Sequence, residues 1–110
     1  MSDFITKKCQ ACAGFTDKIE AEDALIYLRQ LTNWQLSNDN LSISRRFEFK
    51  NFKQTMFFIN AVAFLCEREG HHPNASFSYN WCEIAFTTHE LGGLSENDFI
   101  CAAKVDQLLS

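Results

Sequence analysis

All three histidines of this chain fall between positions 71 and 89: His71 and His72 side by side in EGHHP, just before Pro73, the only proline, and His89 directly after Thr88. Imidazole gains and loses protons near neutral pH, and an acid or base held against a reacting group is worth roughly 10²- to 10⁴-fold in rate. Metal ligation is a second chemistry open to them. It needs three converging ligands, however, and adjacent residues on an extended segment point opposite ways, so no metal is expected. Nucleophilic catalysis lacks its partners: no serine pairs with these histidines, no cysteine adjoins them, and no glycine-rich phosphate loop accompanies them. Proton transfer is the chemistry that remains. Beside it stands a plainer reading, in which His71 and His72 meet the negative end of a helix and His89 fills a strand end.

The surrounding periodicity indicates which elements would hold these side chains. In EAEDALIYLRQL, Ala21, Ala24, Leu25, Leu28 and Leu31 recur at helical spacing, with Glu20, Glu22 and Asp23 at the end that favours acidic groups. Trp34 and Leu36 alternate as a short strand, Asn38-Asp39-Asn40 supplies turn chemistry, and LSISRRFEF carries Leu41, Ile43, Phe47 and Phe49 on one face. The longest helical pattern runs from Asn51 to Gly70, where Gly70 suits a left-handed cap. Met56, Phe57, Phe58, Ile59, Val62, Phe64 and Leu65 wrap most of its circumference. That is more than one small domain covers, so this helix is expected to pack on its own sheet with one face and on a second subunit with the other, with Phe58 and Val62 as test positions for that contact.

After the histidine pair, Phe77, Tyr79 and Trp81 alternate, then Ile84, Phe86 and Thr88, as two strands or one bent strand. Ser95-Glu96-Asn97-Asp98 has the form of a capping box, and Phe99, Ala102, Ala103, Val105 and Leu109 give a last helix its buried side. Helices kept to one face of a small antiparallel sheet make an α+β fold, here in the order α-β-β-α-β-β-α.

With 110 residues the chain supports one domain, placed at residues 19–110 after an N-terminal tail of residues 1–18. A net charge of -4 and a pI near 5.2 argue against a nucleic-acid partner, and Arg45-Arg46, Lys50 and Lys53, interrupted by Glu48, read as a solvated strand face. No apolar stretch approaches the roughly 20 residues that span a bilayer, and the start of the chain lacks an apolar signal region. A cytoplasmic protein with no membrane association is expected. Five cysteines is an odd count, and Cys66, Cys82 and Cys101 lie in apolar segments, so free thiols are expected. Cys9-Gln10-Ala11-Cys12 has half the spacing of a zinc site without a second half, and reads as part of a solvated tail.

Taken together, EGHHP, Tyr79-Asn80, Thr88-His89, Gly93-Leu94-Ser95 and Asp98, with Asn33-Trp34 and Phe49-Lys50-Asn51-Phe52 upstream, resemble the pterin-4a-carbinolamine dehydratase family. The resemblance runs from about residue 20 to the end, and the N-terminal CQAC is similar to the bacterial branch. It implies a four-stranded antiparallel sheet with helices on one side, and homodimers or homotetramers packed through the 51–69 helix and strand edges. The implied reaction removes water from 4a-hydroxytetrahydropterin to leave the quinonoid dihydropterin, with no cofactor. His71 and His89 are then the implied general acids for hydroxyl on either face of the pterin, and His72 is mainly a substrate-binding residue. Glu67, one helical turn before His71, matches a family acid that can orient the site; Tyr79, Asn80 and Thr88 are implied pocket residues.

The family's substrate arises when an aromatic amino acid hydroxylase uses tetrahydrobiopterin or a related pterin, which implies a functional link to such an enzyme. Two other roles occur within the family: a non-enzymatic binding module, as in animal members that stabilise dimers of a homeodomain transcription factor, and a part in molybdopterin metabolism. This chain departs from animal members at Gly70, where they carry aspartate, and at Ala75, where they commonly carry tryptophan.

Overall fold

The alternation in LSISRRFEF and in the stretch after Trp81 is realised as the two central strands of a sheet. The computed structural model describes residues 3–9 and 18–109. Its elements are α1 (Ala21–Leu28), β1 (Gln35–Leu36), β2 (Ile43–Glu48), α2 (Phe52–Glu69), β3 (Asn74–Phe77), β4 (Trp81–Phe86) and α3 (Glu96–Gln107), with single 3-10 turns at Asp3–Thr6 and His89–Leu91. The strands form one four-stranded antiparallel sheet in the order β1-β2-β4-β3. Ile43 faces Phe86 and Phe47 faces Cys82 across the centre, and these side chains and Ile84 are buried under the helices. Ser44, Arg46, Glu48 and Glu83 occupy the other, more open face. The α+β fold and its element order are therefore as expected. Among the described residues no helix is long and apolar enough to cross a membrane.

Each boundary has a local cause. The β1–β2 turn places Asn40 at φ 64, a left-handed conformation that asparagine tolerates, and Asp39 Oδ1 accepts from Ser37 Oγ and Leu41 N. Asn51 caps α2 by accepting from Gln54 N at 2.9 Å. Gly70 ends that helix at φ 74, and the N–H groups of Gly70 and His71 both return to Cys66 O.

Several expectations change on contact with the tertiary structure. In α1 the buried residue is Ala24, with Tyr27 and Leu28 half-buried, whereas Leu25 is 54% exposed. Leu109 is likewise exposed, and Ile100 and Cys101 take buried places in α3 instead. Arg45 does not lie on a solvated face. It shares the inward side of β2 with Ile43 and Phe47, donates from Nη1 to Asp106 Oδ1 at 2.7 Å, and sits beside Trp34 Nε1, which donates to the same oxygen at 2.8 Å. In α2, Phe58 and Val62 belong to this chain's own core, and the outward positions are Phe57 and Phe64, which are 66% and 69% exposed.

The N-terminal residues that are described form a strap, not a solvated tail. Phe4 is buried between Tyr27 and Phe99, with ring centroids 5.7 and 5.9 Å away. Lys7 pairs with Glu96 at 2.8 Å, and the Cys9 N–H donates to Glu69 Oε1 at 3.0 Å. One aromatic side chain anchored on α3 outweighs the polar character of its neighbours. Cys12, Gly14 and Asp17 lie outside the described residues.

Glu69 joins the strap to both long helices, because its second oxygen meets Lys104 Nζ of α3 at 2.6 Å. Burial opposes its charge, yet the Cys9 N–H and the Lys104 ammonium outweigh that and hold the carboxyl below its ordinary value. A depressed folded-state pKa means stability that is present at neutral pH and lost as pH falls through that value. The strap is thus expected to loosen in acid, as pH falls below the ordinary glutamate range, seen as increased proteolysis near Cys9. In Glu69→Gln the same cleavage should already be fast at neutral pH and vary little on acidification.

Candidate active site

Three chain segments converge beside the sheet. The Gly70 cap ends α2 abruptly and delivers His71 and His72. The end of β4 delivers Thr87, Thr88 and His89, and the first turn of α3 delivers Asp98. Gly70, His71, His72, Thr87, His89 and Glu90 line one cleft of about 150 Å³. The three histidines named from sequence are therefore brought together on a single opening, although 18 positions separate His71 from His89 in the chain.

Their surroundings differ. His71 is 7% exposed, and its ring lies nearly parallel to that of Phe86, with centroids 6.0 Å apart. Its Nε2 is 2.6 Å from Asp98 Oδ1. An ionised carboxylate only accepts, so Nε2 carries the proton of this bond and Nδ1 is the nitrogen left for a substrate. His72 is exposed and its Nε2 lies 2.9 Å from Glu67 Oε1, both groups on the surface. Glu67 thus orients His72 rather than His71. His89 is exposed and opens the short turn after β4.

Asp98 is a site residue to which the sequence assigns only a helix cap. It is fully buried; Oδ1 meets His71, while Oδ2 accepts from Thr88 Oγ1 at 2.9 Å and from the Ser95 N–H at 2.9 Å. The capping box was legible, and it is present. The same carboxylate that caps α3 also fixes the imidazole, and the helix N-terminus further favours its charge. Gly70, Thr87 and Glu90 also line the cleft without having been singled out as pocket residues by the sequence.

Three expected pocket residues lie elsewhere. Thr88 has no exposed surface; it bonds Asp98 and Ser95, the latter at 2.7 Å, from behind the cleft, and Thr87 is its lining neighbour. Tyr79 and Asn80 sit in the turn between β3 and β4, at the far end of the hairpin from the histidines, a separation of roughly 15–20 Å at strand spacing. Tyr79 stacks on Phe52, and the backbone carbonyls of Tyr79 and Asn80 accept from Thr55 Oγ1 and Phe49 N. Within one chain they serve the sheet and α2. Ala75 lies on the edge strand and lines an apolar groove with Ile59, Val62 and Pro73.

Three imidazoles on one open cleft, one of them backed by a buried carboxylate, are the equipment of a proton-transfer enzyme. The pterin 4 alpha carbinolamine dehydratase family matches residues 5–108, and the chain belongs to that family of hydro-lyases. It is 50% identical over 107 residues to a Nitrosomonas europaea protein named "Putative pterin-4-alpha-carbinolamine dehydratase", covering 96% of this chain and 93% of that one. A crystal structure described as a transcriptional coactivator/pterin dehydratase from Brucella melitensis superimposes with a TM-score of 0.81 at 28% identity, over 86% of this chain and 100% of that chain. A pterin dehydratase-like protein described as a RuBisCO assembly factor in the alpha-carboxysome matches with a TM-score of 0.61 at 31% identity, over 70% of this chain and 89% of that chain.

Proposed function

We propose that this chain dehydrates 4a-hydroxytetrahydropterin to the quinonoid dihydropterin by general acid and base catalysis from its histidines. The observation that carries this reading is His71, held between Phe86 and Asp98 with one ring nitrogen uncommitted, on a cleft shared with His72 and His89. In the reaction the N5 lone pair expels the C4a hydroxyl, an acid protonates the departing oxygen and a base removes the N5 proton. Nitrogen already drives the departure, so the protein need only place proton donors and acceptors.

His71 supplies the first donor. Asp98 holds its ring in one orientation and balances the charge that the ring carries during transfer, the role a buried carboxylate has beside a catalytic histidine elsewhere. His89, from the opposite wall-forming segment, is the donor for a hydroxyl on the other face of the pterin. His72, steadied by Glu67, binds the ring. The substrate would come from an aromatic amino acid hydroxylase reaction, which makes the enzyme a recycling step; a role in molybdopterin metabolism is the other pathway assignment. The test is an assay with synthetic carbinolamine, read by the ultraviolet change on dehydration. Decay faster than the spontaneous rate and proportional to protein supports the reading, and decay at the spontaneous rate rejects it.

One further observation bears on assembly. Phe57, Ala61, Leu108 and Leu109 border an apolar groove on the outward side of α2, with Phe64 one helical turn beyond. We place the contact between copies of this chain there, and a non-enzymatic assembly role would use the same surface. Phe57→Lys/Phe64→Lys should shift the chain toward smaller species in sedimentation while dehydration by those species persists. Loss of activity with no change in size would contradict that division of labour.

A further inference from the structure

The strap carries a feature that dehydration does not use. Phe4, Lys7 and the Cys9 backbone fix its register against α3 and the end of α2 at three successive points. That register brings Cys9 Sγ to 3.4 Å from Cys101 Sγ, although 92 positions separate them. Cys9 Sγ also lies 3.7 Å from Asn97 O. Cys9 is half-buried at the rim, and Cys101 is fully buried beneath it.

We propose that Cys9 and Cys101 form an oxidation site, a thiol pair that a hydroperoxide converts into an intramolecular disulfide stapling the strap to α3. A disulfide is about 2.0 Å long, so the sulfurs need to approach by little more than an ångström, within reach of side-chain rotation and small strap movement. Their roles are unequal. Hydrogen bonds with Cys66 and Cys9, together with burial, hold the Cys101 thiol far above the ordinary range, so it stays protonated until its partner is activated. Cys9 is the sulfur a solute can reach.

The steps balance as follows. The Cys9 thiolate attacks one oxygen of the hydroperoxide; a sulfur–oxygen bond forms, the oxygen–oxygen bond breaks, and an alcohol, or water from hydrogen peroxide, leaves after taking a proton. Cys9 sulfur is oxidised by two electrons to the sulfenic acid, and the peroxide is reduced. Cys101 sulfur then attacks Cys9 sulfur and gives up its proton. The sulfur–sulfur bond forms, the sulfur–oxygen bond breaks, and the hydroxyl departs as water. Thioredoxin-type dithiols would reverse the change.

The full chain exposed to hydrogen peroxide, then alkylated, digested and mapped by mass spectrometry, tests this. The expected product is a Cys9–Cys101 linked peptide that disappears on reduction. Cys101→Ser should yield a Cys9 sulfenic acid trapped by dimedone, and Cys9→Ser should leave Cys101 reduced under the same exposure. A Cys9–Cys12 or Cys66–Cys101 link as the main product overturns the proposal, as does overoxidation of Cys9 in wild type without any link to Cys101. Because Cys9→Ser alters only the strap's rim, its fold can be checked independently by circular dichroism.

Discussion

His71→Ala is expected to lower kcat for dehydration of one C4a stereoisomer of the carbinolamine by roughly 10²- to 10⁴-fold, the usual worth of a positioned acid or base. In His71→Ala/His89→Ala, dehydration should fall to the spontaneous rate. The effect should fall on kcat, since His72 and Thr87 still line the cleft and can bind the ring. The double variant also carries a stability cost: His89 is exposed, but the loss of His71 takes away the partner of Asp98 Oδ1 at 2.6 Å and leaves that buried carboxylate bonded only through Oδ2, to Thr88 and Ser95. Circular dichroism of the variant separates lost folding from lost chemistry. Sedimentation should be unchanged, because neither histidine lies on the outward surface of α2. Full activity in the double variant would remove these residues from the chemistry.

Asp98→Ala should be the most damaging single substitution for stability, costing about 3–5 kcal/mol, the loss typical of breaking a buried ionic network. The reason is geometric. One carboxylate accepts from three groups on three segments: the His71 ring after α2, the Thr88 hydroxyl after β4 and the Ser95 N–H that opens α3. Its removal leaves buried donors without acceptors and opens the cap of α3. Asp98→Asn separates the structural part from the positioning part. The amide keeps the volume and can still accept from Ser95 or Thr88, so much of the stability should remain. It cannot supply the negative charge beside His71, so kcat should fall and its pH profile should change while KM stays close to wild type. A purely structural Asp98 would instead lower the yield of active protein and leave the pH profile of the remainder as in wild type.

What could be read from the sequence follows from the range of the interactions involved. The capping box and the Gly70 cap are set within a few residues, and both are present. The second use of Asp98 was hidden because its partner His71 lies 27 positions away. Arg45 was grouped with Arg46 as surface charge, yet alternation puts it on the inward side of β2, where Asp106 and Trp34 of distant segments receive it. On α2 the apolar residues surround the helix, so periodicity could announce an unpartnered face without setting its phase. Contact with β2 and Phe49 turned Phe58 inward, and Phe57, one residue and about 100° away, faces out. Tyr79 continued an alternating pattern in the sequence, but the chain turns at residues 78–80, and the strand period ends with Phe77.

Gly70 shows the reverse case, a residue whose place is set by the local cap. At φ 74 it adopts a conformation that glycine enters without steric cost, and a side chain built there meets no atom within 4 Å. The position is selected by the cap, and the buried carboxylate that meets His71 comes from Asp98 of α3.

The assignment of His71 and His89 to opposite faces of the pterin is tested most directly by following both C4a stereoisomers of the carbinolamine separately in wild type, His71→Ala and His89→Ala. The expected result is selective: wild type clears both isomers, and each single variant loses the acceleration of one isomer while retaining most of it for the other. Loss of both isomers to the same extent in each variant, or of neither, would contradict it.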